Sequence, residues 1–193
     1  AFDARDEWPA LVEFMPTDLR QRLDAVGRLD VLDAVAKRLL DSYAKEDLLK
    51  LDPDALGRRA RVLMLLGEVD SARGNLDAAL ARYKEAVATT EELLRRNPDD
   101  EQRIFDHAQS IYWVGDIAWK RGDIATVTDY WTQYRDFGAR LVAINPDKDA
   151  WQTELGYGHR NLATLALQEG DAGAAAEGFE RARDVSQRLA EAD

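Results

Sequence analysis

Gly74, Gly122 and Gly170 stand 48 residues apart, and the chain around them repeats with the same period. A fixed interval of this length marks stacked supersecondary units, because each unit can bury its apolar face only against a neighbour. Each glycine is followed by Asn75, Asp123 or Asp171, side chains that accept the exposed amides of a new helix. Nine residues beyond each glycine comes an aromatic: Tyr83, Trp131 and Phe179. Eight residues before it stand Leu66, Val114 and Leu162, and seven before it the small residues Gly67, Gly115 and Ala163. Asn97-Pro98 and Asn145-Pro146 recur at the same interval.

Each unit reads as two helices joined at the glycine. Apolar residues recur three and four apart along both arms, the spacing of a buried helical stripe. In the middle unit the arms run from Asp99 to Arg121 and from Ile124 to Ile144. Arms of about 20 residues are roughly 30 Å long. Glycine supplies the left-handed C-cap at the turn. Proline at the other boundary cannot continue a helix and suits the first turn of the next one. Phe105, Tyr112, Trp113, Trp119, Tyr130, Trp131, Tyr134 and Phe137 crowd into the middle unit, and most of them are expected in the core.

The small residues at 67, 115 and 163, the Gly-Asn and Gly-Asp turns, the aromatics, Ala79 with Ala175 and Ala86 with Ala182 together resemble the tetratricopeptide repeat. That repeat spans about 34 residues, so a 48-residue version lengthens each helix by about two turns. Val127 and Tyr134 depart from it, standing where the family prefers alanine. The resemblance covers residues 53–190 and implies an all-α fold: a right-handed α-solenoid of stacked antiparallel helix hairpins, about 7–9 helices in all. The expected units are 51–98, 99–146 and 147–193, with a degenerate hairpin over 1–50, forming one continuous domain. In that first segment Gly27 lies 47 residues before Gly74, and a break is expected at Met15-Pro16. Its phrases Val12-Glu13-Phe14-Met15 and Gly27 to Val35 are similar to repeat arrays attached to kinase or other effector domains in multidomain bacterial signalling proteins.

In the family the first helices line the concave surface of a superhelix. Carried over position by position, this places Arg61, Met64, Leu65 and Glu68 there in the first unit. The second unit contributes Gln109, Tyr112, Trp113, Asp116 and Lys120, and the third Tyr157, Arg160, Asn161 and Thr164. Aromatics and Arg supply most binding hot spots, so this strip suits a protein or peptide partner. Family members that clamp the carboxylate end of chaperone tails use Lys or Arg with paired Asn in successive first helices. Here Met64 with Glu68, and Tyr112 with Asp116, hold those places, and only Arg160 and Asn161 fit. Acids at two of the places would repel a terminal carboxylate, so that specificity is rejected.

Little else in the 193 residues suggests chemistry. There is no cysteine, which removes disulfide frameworks, thiolate zinc sites and cysteine nucleophiles. His107 and His159 are too few for a polyhistidine metal centre. His159 reads as a hydrogen-bonded packing residue, and His107 has no obvious partner. No phosphate-cradling glycine loop and no Gly-x-Ser-x-Gly elbow is present. Acidic pairs such as Asp99-Asp100 and Glu91-Glu92 read as helix-start charges or solvated faces. The net charge is −11, with residues 51–98 neutral and the other segments acidic, which argues against a nucleic-acid partner. No apolar run approaches the roughly 20 residues that cross a bilayer.

The opening residues show no signal sequence and the last ones stop in a helical pattern, so the chain reads as a piece of a longer protein. A cytoplasmic location is the default, and an extracytoplasmic one follows if the longer protein carries an anchor. The expectation is a non-enzymatic, cofactor-free interaction module binding a peptide or partner segment. The alternative is a structural spacer that forms a homodimer or packs on an attached effector domain, because Val185 and Leu189 lack an obvious cover.

Overall fold

The computed structural model describes residues 47–192 and, ahead of them, Ala34, Ala36, Arg38, Leu40 and Asp41. The break expected at Pro16 and the turn at Gly27 lie outside the described residues. Every regular element from residue 47 onward is helical: a 3-10 turn at Leu48–Lys50, then α1 (Pro53–Ala72), α2 (Leu76–Arg96), α3 (Glu101–Arg121), α4 (Ile124–Ile144), α5 (Asp149–Gln168) and α6 (Ala172–Ala192). The fold is all-α and solenoid-like, as the period predicts. It divides into two compact units between Arg96 and Asn97. The first holds the α1/α2 hairpin, and in the second each of α3 to α6 packs on the next.

The 48-residue signal sits in the turns. Gly74, Gly122 and Gly170 have φ of 77°, 72° and 84°. That left-handed region costs an L-residue with a Cβ roughly 1–2 kcal/mol, which selects glycine. Behind each glycine an amide reaches back to close the preceding helix: Asn75 to the Asp70 carbonyl at 2.8 Å, Asp123 to Ala118 at 3.0 Å, and Asp171 to Ala166 at 2.9 Å. The aspartates then open the next helix, Asp123 Oδ1 accepting from the Thr126 amide at 3.2 Å and Asp171 Oδ1 from Ala174 at 2.9 Å.

The prolines divide. Pro53 is the first residue of α1, behind the Asp52 cap, as expected. Pro98 and Pro146 instead lie in the turns before α3 and α5, whose N-caps are Asp100 and Lys148. Their role is to end α2 and α4, not to begin the helices that follow.

Within the hairpins the small residue receives the aromatic. Tyr83 is fully buried, and a Cβ on Gly67 would overlap its ring. Trp131 is buried in the same way, and a Cβ on Gly115 would overlap the indole. The third unit breaks the rule. Phe179 holds the aromatic position yet is 39% exposed. At the small position this unit has Ala163, whose methyl stands where the other two units have bare backbone. There α6 approaches instead through Gly178, where an added Cβ would lie 2.8 Å from the Ala163 Cβ. The α4–α5 contact is equally close, with Gly158 against the Arg135 backbone and Gly138 against that of Leu155.

An arginine clasp also recurs. Arg96, in the last turn of α2, donates to the carbonyls of Leu51 at 2.6 Å, Leu49 at 3.1 Å and Leu48 at 3.2 Å. Near the end of α4, Arg140 donates to the Pro98 carbonyl at 2.6 Å. Both tie the end of a second helix to the turn before its own first helix.

Three substitutions separate these effects in thermal melts. Gly115→Ala overpacks the Trp131 site and is expected to cost about 1–3 kcal/mol. Gly122→Ala meets open space but a forbidden φ, and should cost roughly 1–2 kcal/mol. Gly57→Ala, in the interior of α1 with only the tip of Arg61 at 3.6 Å, should raise stability by about 0.5–1 kcal/mol. A Gly115→Ala protein as stable as the parent would refute the packing account.

Candidate functional site

The expected site residues fall on first helices, as the period requires, but they differ in what is left for a partner. On α1, Arg61 is exposed while Met64 and Glu68 are half-buried. Leu65 is 3% exposed and belongs to the core. It continues the buried stripe of Val62, Leu66 and Val69, so its place at a groove is corrected.

In the second compact unit, which begins at Asn97, α3 and α5 hold the rest. Tyr112 is half-buried in an aromatic group, its ring 5.2 Å from Trp113, 5.3 Å from Tyr134 and stacked parallel to Trp131 at 6.4 Å. It packs with Trp119 and Leu162 on a core of Ala118, Val127, Trp131 and Leu165. Burial raises the Tyr112 hydroxyl pKa, Asp116 raises it further and Arg160 opposes, which places these three side chains in one local field. Asp116 meets Lys120 at 2.8 Å, one helical turn on. On α5, Tyr157 is 43% exposed and carries the Arg160 guanidinium over its ring at 4.9 Å. Thr164 is exposed with its hydroxyl turned back to the Arg160 carbonyl, and Asn161 is half-buried.

Gln109 has a different role. Its amide donates to Glu154 Oε2 at 2.8 Å, and the Tyr134 hydroxyl donates to the same oxygen. Gln109 is therefore a strut joining α3 to α5. Burial pushes the Glu154 carboxyl up, and the donors from Tyr134 and Gln109 only partly offset this. Neither Glu154 nor Tyr134 was among the expected site residues. The signal for Tyr134 was its departure from alanine: the space gained is used by a hydroxyl that satisfies a buried acid. At the start of the same helices Glu101 gathers donors from Trp151 Nε1, Lys148 and Asn145. The Lys148 ammonium also lies 3.9 Å above the Trp151 ring.

The groups that would carry chemistry are occupied. Glu92 is held down to about 2 by hydrogen bonds from Arg95 and Arg96. His107 is buried edge-on against Phe137 at 5.0 Å, and burial lowers its pKa to about 4, so it is neutral at pH 7. His159 is half-buried and lowered by burial, with Arg181 and Arg135 adding to it. The hydrogen bond expected for His159 is absent among the described residues, and the charges it feels are the cations Arg181 on α6 and Arg135 on α4. Ser110 and Ser186 donate to carbonyls of their own helices. Among the described residues no cluster of His, Asp or Glu is placed to hold a metal ion, and no helix is long and apolar enough to cross a membrane.

A shallow cleft of about 270 Å³ lies beside the α4–α5 turn, lined in part by Pro146, Asp147, Asp149 and Arg188. Val185 is buried and Leu189 half-buried beside it, so these two are covered by α5 and its turn, contrary to expectation. Apolar groups left open among the described residues include Leu49, Ile144, Phe179 and, at the end of α5, Leu167, which is 58% exposed.

No family model matches the chain, and no curated protein does. Solved structures similar to it include a crystal structure of MamA (14% identity, 91% of this chain and 98% of that one, TM-score 0.40). Another is MamA MSR-1 C2 (15% identity, 89% and 99%, TM-score 0.32). A third is MamA 41-end from Desulfovibrio magneticus RS-1 (18% identity, 93% and 96%, TM-score 0.30). Likenesses at this level say nothing about what the chain binds.

Glu154 gives the site a pH signature. Its folded pKa lies above the unfolded value, so its favourable contribution is complete below the unfolded pKa and is lost as pH rises through the folded one. His107 works in the opposite sense, costing stability as pH falls below about 6.5. A comparison with Glu154→Gln isolates the carboxyl. Wild type should gain melting temperature relative to that variant as pH falls from 7 to 5, and a difference independent of pH would contradict the assignment.

Proposed function

We propose that the chain is a non-enzymatic protein-interaction module whose second unit binds a peptide or partner segment on the side formed by α3 and α5. The observation that carries this is the pairing of exposed Tyr157 and Arg160 on α5 with half-buried Tyr112 and Trp113 on α3. These are the residue types that dominate binding energy. Beneath them the Gln109–Glu154–Tyr134 network and the Trp131 stack hold both helices, so the side chains are presented by fixed backbone and little ordering entropy is lost on binding. A place within a larger cytoplasmic signalling protein fits the resemblance of the first fifty residues and belongs to the same proposal.

The test places a photo-crosslinking amino acid at Tyr157 on α5 or at exposed Thr128 on α4. Illumination in a lysate of the source organism should join a partner protein to the first and not to the second. Adding Arg160→Ala and Asn161→Ala should abolish that product while circular dichroism stays unchanged. Equal products from both positions, or none from position 157, would remove the α3/α5 assignment.

A second reading, self-association as a structural spacer, is favoured by one observation: Phe179 and Leu167 leave apolar surface open at α6 and the end of α5. Sedimentation equilibrium at high micromolar concentration decides it. The binding-module reading expects a monomer, whereas a dimer converted to monomer by Phe179→Glu would establish the spacer.

A further inference from the structure

We infer that the segment bound by α3 and α5 carries an acidic side chain, and that Arg160 is the group that takes it. The inference rests on the binding-module reading and goes one step further, to the chemistry of the ligand.

The cations of the second unit are largely committed. Lys120 pairs with Asp116 at 2.8 Å, Lys148 with Glu101 at 3.3 Å and Arg183 with Asp184 at 2.8 Å. Arg140 is held by the Pro98 carbonyl, and Arg181 by Glu177. Arg160 differs. Among the described residues its guanidinium donates no hydrogen bond and meets no carboxylate, and it lies over the Tyr157 ring, 4.9 Å away. A cation–π contact engages the face of a guanidinium and leaves its N–H donors free for an acceptor. That arrangement is prepared for a carboxylate, which a planar fork can hold by two parallel hydrogen bonds.

The surroundings define what lies beside the acid. Tyr112 feels Arg160 electrostatically and offers a half-buried ring, with Trp113 next to it. An apolar residue adjacent to the acidic one therefore finds an aromatic surface. Asp116, on the turn of α3 after Tyr112, pairs with Lys120 at 2.8 Å, which weakens its repulsion of an acid held at Arg160 without removing it. Residues 97–193 are acidic overall, so a cation without an acid beside it sets where an acidic side chain of the bound segment can sit.

The probe is a displayed library of random peptides fused through their C-termini, so that no free terminal carboxylate is offered. It is selected against the full chain. The enriched family should carry Asp or Glu at one fixed position with an apolar residue close by. In a binding assay with the synthetic peptide, replacing that acid by its amide should weaken binding about tenfold or more. Arg160→Gln should cause a loss of the same size, and the two changes together should cost no more than either. Arg160→Glu should recover a peptide in which the acid is replaced by Lys, a reversal that a folding defect cannot produce. Selected peptides that lose affinity with Asn161→Arg on the same face, yet tolerate Arg160→Gln, would overturn the acidic ligand and leave the binding module standing. Peptides insensitive to every change on α3 and α5, or no enrichment at all, would overturn both.

Discussion

Where α3 meets α4, the Trp131 indole lies against the bare backbone of Gly115, and in α1 Gly67 offers the same place to Tyr83. Much of the rest depends on this contact. A long helical arm cannot hold its partner by helix propensity, since glycine in a helix interior costs about 0.5–1 kcal/mol relative to alanine. The cost is offset because the glycine admits a large ring into a fully desolvated position, with the dispersion contacts that follow. The turn glycines set the length of each arm, and the interior glycines set how closely the arms approach. Trp131 then forms the base on which Tyr112 and Trp119 stack, so the position of the candidate binding surface follows from a missing methyl group.

The third unit shows how narrow that condition is. By residue class Ala163 and Gly115 are equivalent, and the 48-residue pattern treats Phe179 as the counterpart of Trp131. Packing does not. Ala163 fills with a methyl the place that is bare in the other units, the close approach lies at Gly178, and Phe179 is left partly exposed. The period made the helices, their boundaries and the handedness of their turns legible, because caps and positive φ act locally. Burial of one particular ring depends on a volume contributed by a residue 16 positions away, and class-level patterning cannot weigh it. The prolines make the same point in smaller form: a helix stop at Asn97-Pro98 and Asn145-Pro146 was readable, whereas the cap that starts the next helix was decided by Asp100 in one case and Lys148 in the other.

The candidate surface divides along the same line. Placing Tyr112, Trp113, Tyr157 and Arg160 on first helices needed only the period, and that placement holds. The Asp116–Lys120 pair is local, one helical turn apart, and its spacing was visible. Gln109 was assigned to a partner because its helix position is right, but its amide is consumed by Glu154, 45 residues on. Long-range polar pairs of this kind leave no periodic trace. Leu65 failed for the opposite reason, since a buried stripe and a groove wall both demand residues three and four apart, and only the packed structure shows which face is covered.

Glu154 clarifies why the surface is built as it is. A carboxyl half-withdrawn from water is a poor source of stability, and an apolar residue of similar volume would cost less to bury. Its donors come from two other helices, Gln109 on α3 and Tyr134 on α4, and a hydrogen bond has direction where apolar packing has none. The network therefore fixes the register of α5 against α3 and α4, and with it the position of Tyr157 and Arg160 relative to Tyr112. It also commits the Gln109 amide and the Tyr134 hydroxyl beside the surface. What remains on α5 is a cation seated on an aromatic ring, with no carboxylate against it among the described residues.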